Sequence, residues 1–479
     1  MLMTYLGTLK TGIYRPIFAS FGTGIYATRV PMLLAGAAGL WLFFLFLRRA
    51  AGYRAALVGC GLLAVDTLYL LTICFDWGPV ALQHLLLIGG LCLLLGFYQT
   101  CQVSRLFWGW FLLGLGLWDK ALMAWMLGGI GIATLAVFPR ELWRTVTLRR
   151  AAISLLAFLL GALPLVLYNV DNRVATFRSN TVYESGKIAG KASLLLATAD
   201  GSALFGWLSN EDWQTASPHP PAGVVQKLSA GISQIAHRPR HSLMLYAFVA
   251  ALLLTPLARG AALRAIFFAL IAMAIAWIQM AVTANAGGSV HHAILIWPLP
   301  EMVIAISFAA ASRRLRRAGI PALAATLAVL MISSLLVTNE YYHLTVRNGG
   351  AQNWTDAIFR LSDYVKGTSP ERVYCVDWGI LDSLRLLNRG KLPLAVGNDL
   401  VSRAAANDDD RKALMKALAG PQNLFIGHTP DFEFFRGTTS RLVKYAADAG
   451  YPRAILATIT DSYGRPVFEV YHFVAPSVP

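Results

Sequence analysis

Charge is scarce in this chain. Of its 479 residues, 14% are Asp, Glu, Lys or Arg and 56% are hydrophobic, whereas a soluble domain carries about 25% charged residues. A soluble fold of this length could not hide so much apolar surface, so much of it faces lipid or other spanning helices. Cysteine is scarce too. Cys60, Cys74, Cys92, Cys101 and Cys375 are the five, and no CxxC pair occurs. This argues against a zinc site or a disulfide framework. Four of the five lie in or beside apolar segments and read as small core residues. The sequence has no Gly-rich phosphate loop, internal repeat or low-complexity tract, and no basic stretch, short apolar run and small-residue cleavage site open it.

The net charge is +16, but its distribution argues against nucleic acid. The basic residues form short clusters between apolar runs, which is the pattern of cytoplasmic loops. Segments long enough to span a bilayer, or nearly so, fall at 31–47, 55–75, 79–98, 106–118, 121–138, 151–168, 242–258, 262–282, 290–310 and 320–338; a straight span needs about 20 residues. Arg48, Arg49 and Arg54 follow the first, Arg105 the third, and Arg140, Arg144, Arg149 and Arg150 the fifth. Arg259 and Arg264 follow the seventh, and Arg313, Arg314, Arg316 and Arg317 the ninth. Alternate loops are therefore cytoplasmic, which places the long loop 169–241 and the C-terminal region outside. About ten spans with an outside C-terminus put the N-terminus outside as well. Lys10 and Arg15 stand there, and exporting them runs against the positive-inside rule. A transmembrane helix preceding Met1 is therefore expected.

From about Thr345 charged residues become frequent and short alternating elements appear. Residues 353–366 carry apolar positions at helical spacing, and Arg372–Ile380 reads as a buried strand running into a helix. Further strands are expected at 392–396 and 422–426, helices near 411–419 and 438–449, and a final hairpin turning at Tyr463-Gly464-Arg465-Pro466. The expected architecture is a polytopic α-helical membrane protein with a C-terminal soluble α/β domain. Its parts are an outer juxtamembrane segment 1–24, a transmembrane domain 25–342 containing the loop 169–241, and an extracytoplasmic domain 343–479.

Polar groups at a membrane edge are expensive, so each is a functional candidate. Asp76 lies in the turn Cys74-Phe75-Asp76-Trp77-Gly78-Pro79, as a general base, a cation or hydroxyl ligand, or a helix cap. Lys120 follows Asp119 and either holds a phosphate, pairs with Asp119 or snorkels. Arg29 opens the first span and suits a phosphate or a lipid headgroup. His291 and His292 precede Trp297-Pro298, one to contact substrate and one to pack, with Glu301 placed to pair with either. Being adjacent, they do not form a strong metal site by themselves, and dependence on a divalent metal is left open. Asp66, nearer the middle of its span, is either a proton or ion site or bonds hydroxyls such as Thr67, and His84 reads as a satisfied buried histidine. Tyr168 and Asn169 begin the long loop, whose Lys187, Lys191, Glu211 and Asp212 read as mostly solvated.

In order and sidedness these motifs resemble the GT-C membrane glycosyltransferases, in the bacterial branch related to protein O-mannosyltransferases and lipid A aminoarabinose transferases (glycosyltransferase family 39-like). Tyr5–Lys10 with Phe21-Gly22 looks like that family's juxtamembrane helix. Arg29-Val30-Pro31, Asp76–Pro79, Asp119-Lys120, Pro164 with Tyr168-Asn169, His291-His292 with Trp297-Pro298, and the exported tail follow in order. The resemblance implies transfer of a sugar from a polyprenyl-phosphate donor to an acceptor lipid, glycan or protein at the outer face of the inner (plasma) membrane, with no cofactor. It implies phosphate binding by Arg29 and Lys120, an accessory catalytic role for Asp76, and a substrate pocket with His291, His292, Tyr168 and Asn169. The family's catalytic acid stands before the juxtamembrane helix, and no carboxylate precedes Tyr5 here. A transporter is the alternative, for which paired broken helices in two related halves would speak; a non-catalytic homologue is another.

Overall fold

The computed structural model describes residues 4–211, 218–350, 355–404 and 408–475. Asp212, Trp213 and the start of the helix expected over 353–366 lie outside the described residues. The chain divides into two compact units. One combines Met1–Phe21, Ile25–Leu204 and Ile232–Glu340; the other combines Gly22–Gly24, Phe205–Gly231 and Tyr341–Pro479.

The first unit is helical. Its elements are α1 (Leu9–Phe21), α2 (Ile25–Ala51), α3 (Tyr53–Val65), α4 (Thr67–Cys74), α5 (Val80–Thr100), α6 (Val103–Asp119), α7 (Met123–Val137), α8 (Pro139–Thr145), α9 (Leu148–Gly161), α10 (Leu163–Asp171), α11 (Ala175–Asn180) and α12 (Ile188–Ala199). After α13 (Val224–Ile235), which begins in the other unit, come α14 (Met244–Leu254), α15 (Ala261–Ala281), α16 (Val290–Ala293), α17 (Leu299–Arg314) and α18 (Gly319–Asn348), whose end belongs to the other unit.

Each of the ten predicted segments is mainly helical. Ile25–Ala51, Val80–Thr100, Ala261–Ala281, Val290–Arg314 and Arg316–Asn348 are long and apolar enough to cross a membrane. Three bent pairs reach that length together: α3–α4 at 57°, α7–α8 at 96° and α9–α10 at 73°. The remaining two, α6 with 17 residues and Met244–Leu257, are shorter than the roughly 20 residues of a straight span. The protein is a multi-pass membrane protein.

The breaks have local causes. Asp66 takes φ −59° and ψ 123°, ends α3 and caps α4. Its Oδ1 accepts from Tyr69 N at 2.8 Å. Thr67, the expected partner, instead donates to Ser334 O at 3.0 Å. Pro164 opens α10 after α9 stops at Gly161. Close helix packing depends on absent side chains. A Cβ at Gly114 would lie 2.3 Å from Phe158 O, and one at Gly161 would lie 2.3 Å from Phe111 O. Backbones meet there because, in lipid, dispersion contact rather than water exclusion drives helix association. The cysteines are free, but Cys74 and Cys101 are exposed. Each lies at the C-terminal end of a helix, α4 and α5, instead of in a core.

The second unit contains α19 (Ala357–Thr368), β1 (Arg372–Cys375), α20 (Ile380–Leu387), β2 (Leu394–Val396), α21 (Gly397–Ala404), α22 (Asp408–Ala419), β3 (Asn423–His428), α23 (Thr438–Asp448), β4 (Arg453–Thr460) and β5 (Pro466–Phe473). The sheet order is β2-β1-β3-β5-β4. β2, β1 and β3 run parallel; β5 is antiparallel to β3 and to β4. Successive residues of β1 alternate between two cores: Val373 and Cys375 pack with α19 and α20, Tyr374 and Val376 with α21, α22 and α23. A strand covered on both faces needs this unbroken apolar run. The hairpin turn is closed by Asp461, whose Oδ2 accepts from Arg465 Nε at 2.6 Å.

Replacing Gly161 by Val forces α6 and α9 apart and is expected to destabilise the detergent-solubilised protein by about 2–3 kcal/mol. The same change at the exposed Ala151 of α9 is expected to leave the thermal midpoint near wild type.

Candidate functional site

The site forms at the end of the helical unit that carries the turns 75–79 and 120–122. Its foundation is a short antiparallel pairing. Gly7 N donates to Asp119 O at 3.0 Å and Ala121 N to Tyr5 O at 2.9 Å, with Leu6 opposite Lys120. The approach requires glycine: a Cβ at residue 7 would stand 1.9 Å from Trp118 O. The pairing holds Lys120 extended, at φ −153° and ψ 125°. Gln83 Nε2 donates to Lys120 O at 3.0 Å and to Gly116 O at 3.1 Å, so the lysine backbone is fixed from two sides.

Lys120 is 4% exposed, and its ammonium has no hydrogen-bond or ion-pair partner among the described residues. Asp119, the expected partner, forms no ion pair with it, and Asp119 Oδ2 is buried without a hydrogen bond among the described residues. Burial pulls the Lys120 ammonium down to about 8, and Asp119 opposes this. A buried cation without a bonded counter-ion is costly, which makes this position ready for an anion. His291 and His292 lie within its electrostatic reach. Their rings are 4.2 Å apart; Ser289 Oγ lies 2.7 Å from His291 Nδ1, His291 packs on Trp77 at 5.3 Å, and His292 Nδ1 has no partner among the described residues.

Asp76 is engaged by α1. Lys10 Nζ donates to Asp76 Oδ1 at 2.5 Å and to Gly78 O at 2.7 Å. Tyr14 Oη lies 3.3 Å from Asp76 Oδ2 and 2.5 Å from Thr28 O. Burial raises the Asp76 carboxyl above the usual range, and Lys10 and Arg29 offset part of that. Arg29 is half-buried and spends one Nη1 donor on Phe75 O. Lys10 appears in the sequence as a tail charge and Tyr14 as one more aromatic; only the fold brings both to Asp76.

Tyr168 and Asn169 are used locally. Asn169 Nδ2 donates to Leu165 O at 2.9 Å and Thr176 Oγ1 at 2.8 Å, and its Oδ1 accepts from Thr176 N at 3.0 Å. These bonds make the corner between α10 and α11. Tyr168 is half-buried, and no hydrogen bond or ring contact joins either residue to Lys120 or the histidines among the described residues.

Three expectations are corrected. Lys191 is not solvated: it is 4% exposed, and its ammonium donates to Thr283 O at 2.6 Å and Ala281 O at 3.0 Å. It satisfies carbonyls left open at the end of α15. Glu184 N→Val282 O at 2.9 Å and Ala284 N→Val182 O at 2.8 Å complete a clasp on the segment leading to His291. Glu301 does not pair with the histidines. It is buried with Asp66, Tyr69 and Trp297. His84 is only half satisfied: Nε2 lies 2.8 Å from Ile294 O, and Nδ1 has no partner among the described residues. Among the described residues no group of three or more His, Cys, Asp or Glu is arranged to hold a metal ion.

No family model and no curated protein sequence matches the chain. Solved structures do. ArnT from Cupriavidus metallidurans bound to undecaprenyl phosphate superposes at TM-score 0.59 with 15% identity, over 98% of this chain and 88% of that one. Its apo state gives 0.54 and 16%, over 96% and 86%. The archaeal oligosaccharyltransferase AglB from Archaeoglobus fulgidus, in complex with an inhibitory peptide and a dolichol-phosphate, gives 0.50 and 13%, over 99% and 67%. The fold is that of the GT-C membrane glycosyltransferases. At these identities the likeness establishes the architecture, and the chemistry has to be argued from the side chains.

Lys10→Met and Asp76→Asn are each expected to destabilise the protein by about 1–3 kcal/mol, because each strands a partly buried partner. The double variant should cost less than the sum. A double-mutant cycle on thermal unfolding checks this; strict additivity would show that the pair is not coupled.

Proposed function

We propose that the protein transfers a sugar from a polyprenyl-phosphate donor to an acceptor hydroxyl. The observation that carries this is Lys120, a buried ammonium held extended with no bonded counter-ion, in a fold shared with structures that contain undecaprenyl phosphate and dolichol-phosphate. The acceptor oxygen attacks the anomeric carbon, the bond from that carbon to the phosphate oxygen breaks, and the acceptor's proton passes to water. The departing polyprenyl phosphate gains one negative charge. A fixed cation at that oxygen is stronger in the transition state than in the ground state, which is the requirement for catalysis.

His291 and His292 border the same space and donate to the sugar or the phosphate. Arg29 keeps donors beyond the one on Phe75 for the phosphate. Asp76, with both oxygens turned to α1, acts by holding Lys10 beside the turn. Tyr168 and Asn169 shape the corner where the long loop leaves the bundle. In this reading the site faces the outside of the inner (plasma) membrane, residues 1–24 lie along that surface, residues 25–342 form the transmembrane part, and 343–479 are extracytoplasmic. The positive-inside distribution of arginines supports this orientation. The partners are the lipid-linked donor, membrane lipid and an acceptor lipid, glycan or protein.

Transfer from radiolabelled polyprenyl-phosphate sugars by the purified protein tests the proposal. Lys120→Ala is expected to lower kcat about 10²–10³-fold. The ammonium loses its proton near pH 8, so kcat/KM should fall on the alkaline side of that value. In Lys120→Arg the limb should vanish, because guanidinium does not titrate there. Full transfer by Lys120→Ala would overturn the role.

A further inference from the structure

The helical unit gathers positive charge at the end away from Lys120, and two of its arginines meet at one point there. α5 begins beside the turn 75–79 and α6 ends at Asp119, so the C-terminal end of α5 and the start of α6 lie a helix length from the candidate site. α5 packs between α2 and α6. Gly89 and Gly96, two turns apart on α5, share one face, and each is met from both neighbouring helices. A Cβ at Gly96 would lie 2.7 Å from Arg105 Nη1 and 3.4 Å from Arg49 Nη1. A Cβ at Gly89 would lie 3.1 Å from Leu112 Cδ1 and 3.5 Å from Leu42 Cδ1. Two guanidiniums thus come together over Gly96, and the same three helices meet through leucines further in.

No acid holds this pair together. Arg49 Nη1 donates to Cys92 O at 3.2 Å and lies 3.5 Å from Cys92 Sγ. The Arg105 guanidinium has no hydrogen-bond or ion-pair partner among the described residues. In the loops at this end, 48–54, 98–105, 138–150, 255–264 and 313–319, the sequence places one carboxylate, Glu141, and Arg264 Nη1 holds it at 2.7 Å. Like charges this close repel, so the pair calls for an anion from outside the chain. Two fork-shaped donors brought to one point suit the oxygens of a phosphate. At the ends of spanning helices phosphates are supplied by lipid headgroups, which basic pockets between such helices bind. Trp108, one turn from Arg105, and Trp41, on the helix that carries Arg49, are exposed; in a multi-pass protein such rings face lipid near the interface. A free phosphate would use neither ring.

We propose that Arg49 and Arg105 form a binding site for one anionic phospholipid, whose phosphate bridges the two guanidiniums and whose chains lie against the lipid-facing surface beside them. The site stands apart from the transfer chemistry and does not depend on it. Full-length protein, delipidated in detergent, should be titrated with phosphatidylglycerol and, separately, with phosphatidylcholine of the same chains, and the adducts followed by native mass spectrometry. One phosphatidylglycerol is expected to bind about tenfold more tightly than phosphatidylcholine. Arg49→Gln and Arg105→Gln should each weaken that adduct about tenfold, the loss of one charge-assisted contact. Arg314→Gln combined with Arg317→Gln removes two exposed arginines from the same end and should leave it unchanged. Glycerol phosphate, a headgroup without chains, should not displace the lipid at equal concentration. Circular dichroism and thermal midpoints without added lipid confirm that the variants are folded. The proposal is overturned if the two lipids bind alike, if the Arg49→Gln, Arg105→Gln double variant keeps the adduct, if the Arg314, Arg317 variant loses it as well, or if glycerol phosphate displaces it.

Discussion

The helical unit is organised around an uncompensated charge. An ammonium withdrawn from water costs several kcal/mol unless something replaces its hydration, and among the described residues Lys120 has only its electrostatic neighbours. The surrounding structure bears that cost. Tyr5–Gly7 pair with the strand-like turn, Gln83 fixes its carbonyl, and Gly7 permits the approach. Lys191 and the 182–184 segment hold the histidine loop by the same device, backbone carbonyls bound from outside the helix that owns them.

The apolar runs, the soluble tail and nearly all its elements were legible in the sequence, because hydrophobic period and turn chemistry act locally. The site was legible in its residue types but not in its pairings. Asp76 could be singled out from a turn, yet its engagement by Lys10 and Tyr14 spans more than 60 positions and leaves no local signature. Lys191 read as a solvated loop charge, since nothing near it in sequence announces the open carbonyls at the end of α15. Glu301 and Asp66 were each visible; their shared burial with Trp297 follows only once α3, α4 and α17 pack. The span count was legible to the extent that length decides it: α6 and α14 fall short, and three segments are bent by a carboxylate or a proline that the sequence displays.

The attachment of α1 has a thermodynamic consequence. The segment that leads into α1 also sets the backbone of Lys120, and α1 itself is fastened to the neighbouring turn through Lys10. An anion that gains from the extended lysine therefore strengthens, by the same free energy, the hold on that helix. Ligand binding and the docking of α1 are two readings of one equilibrium.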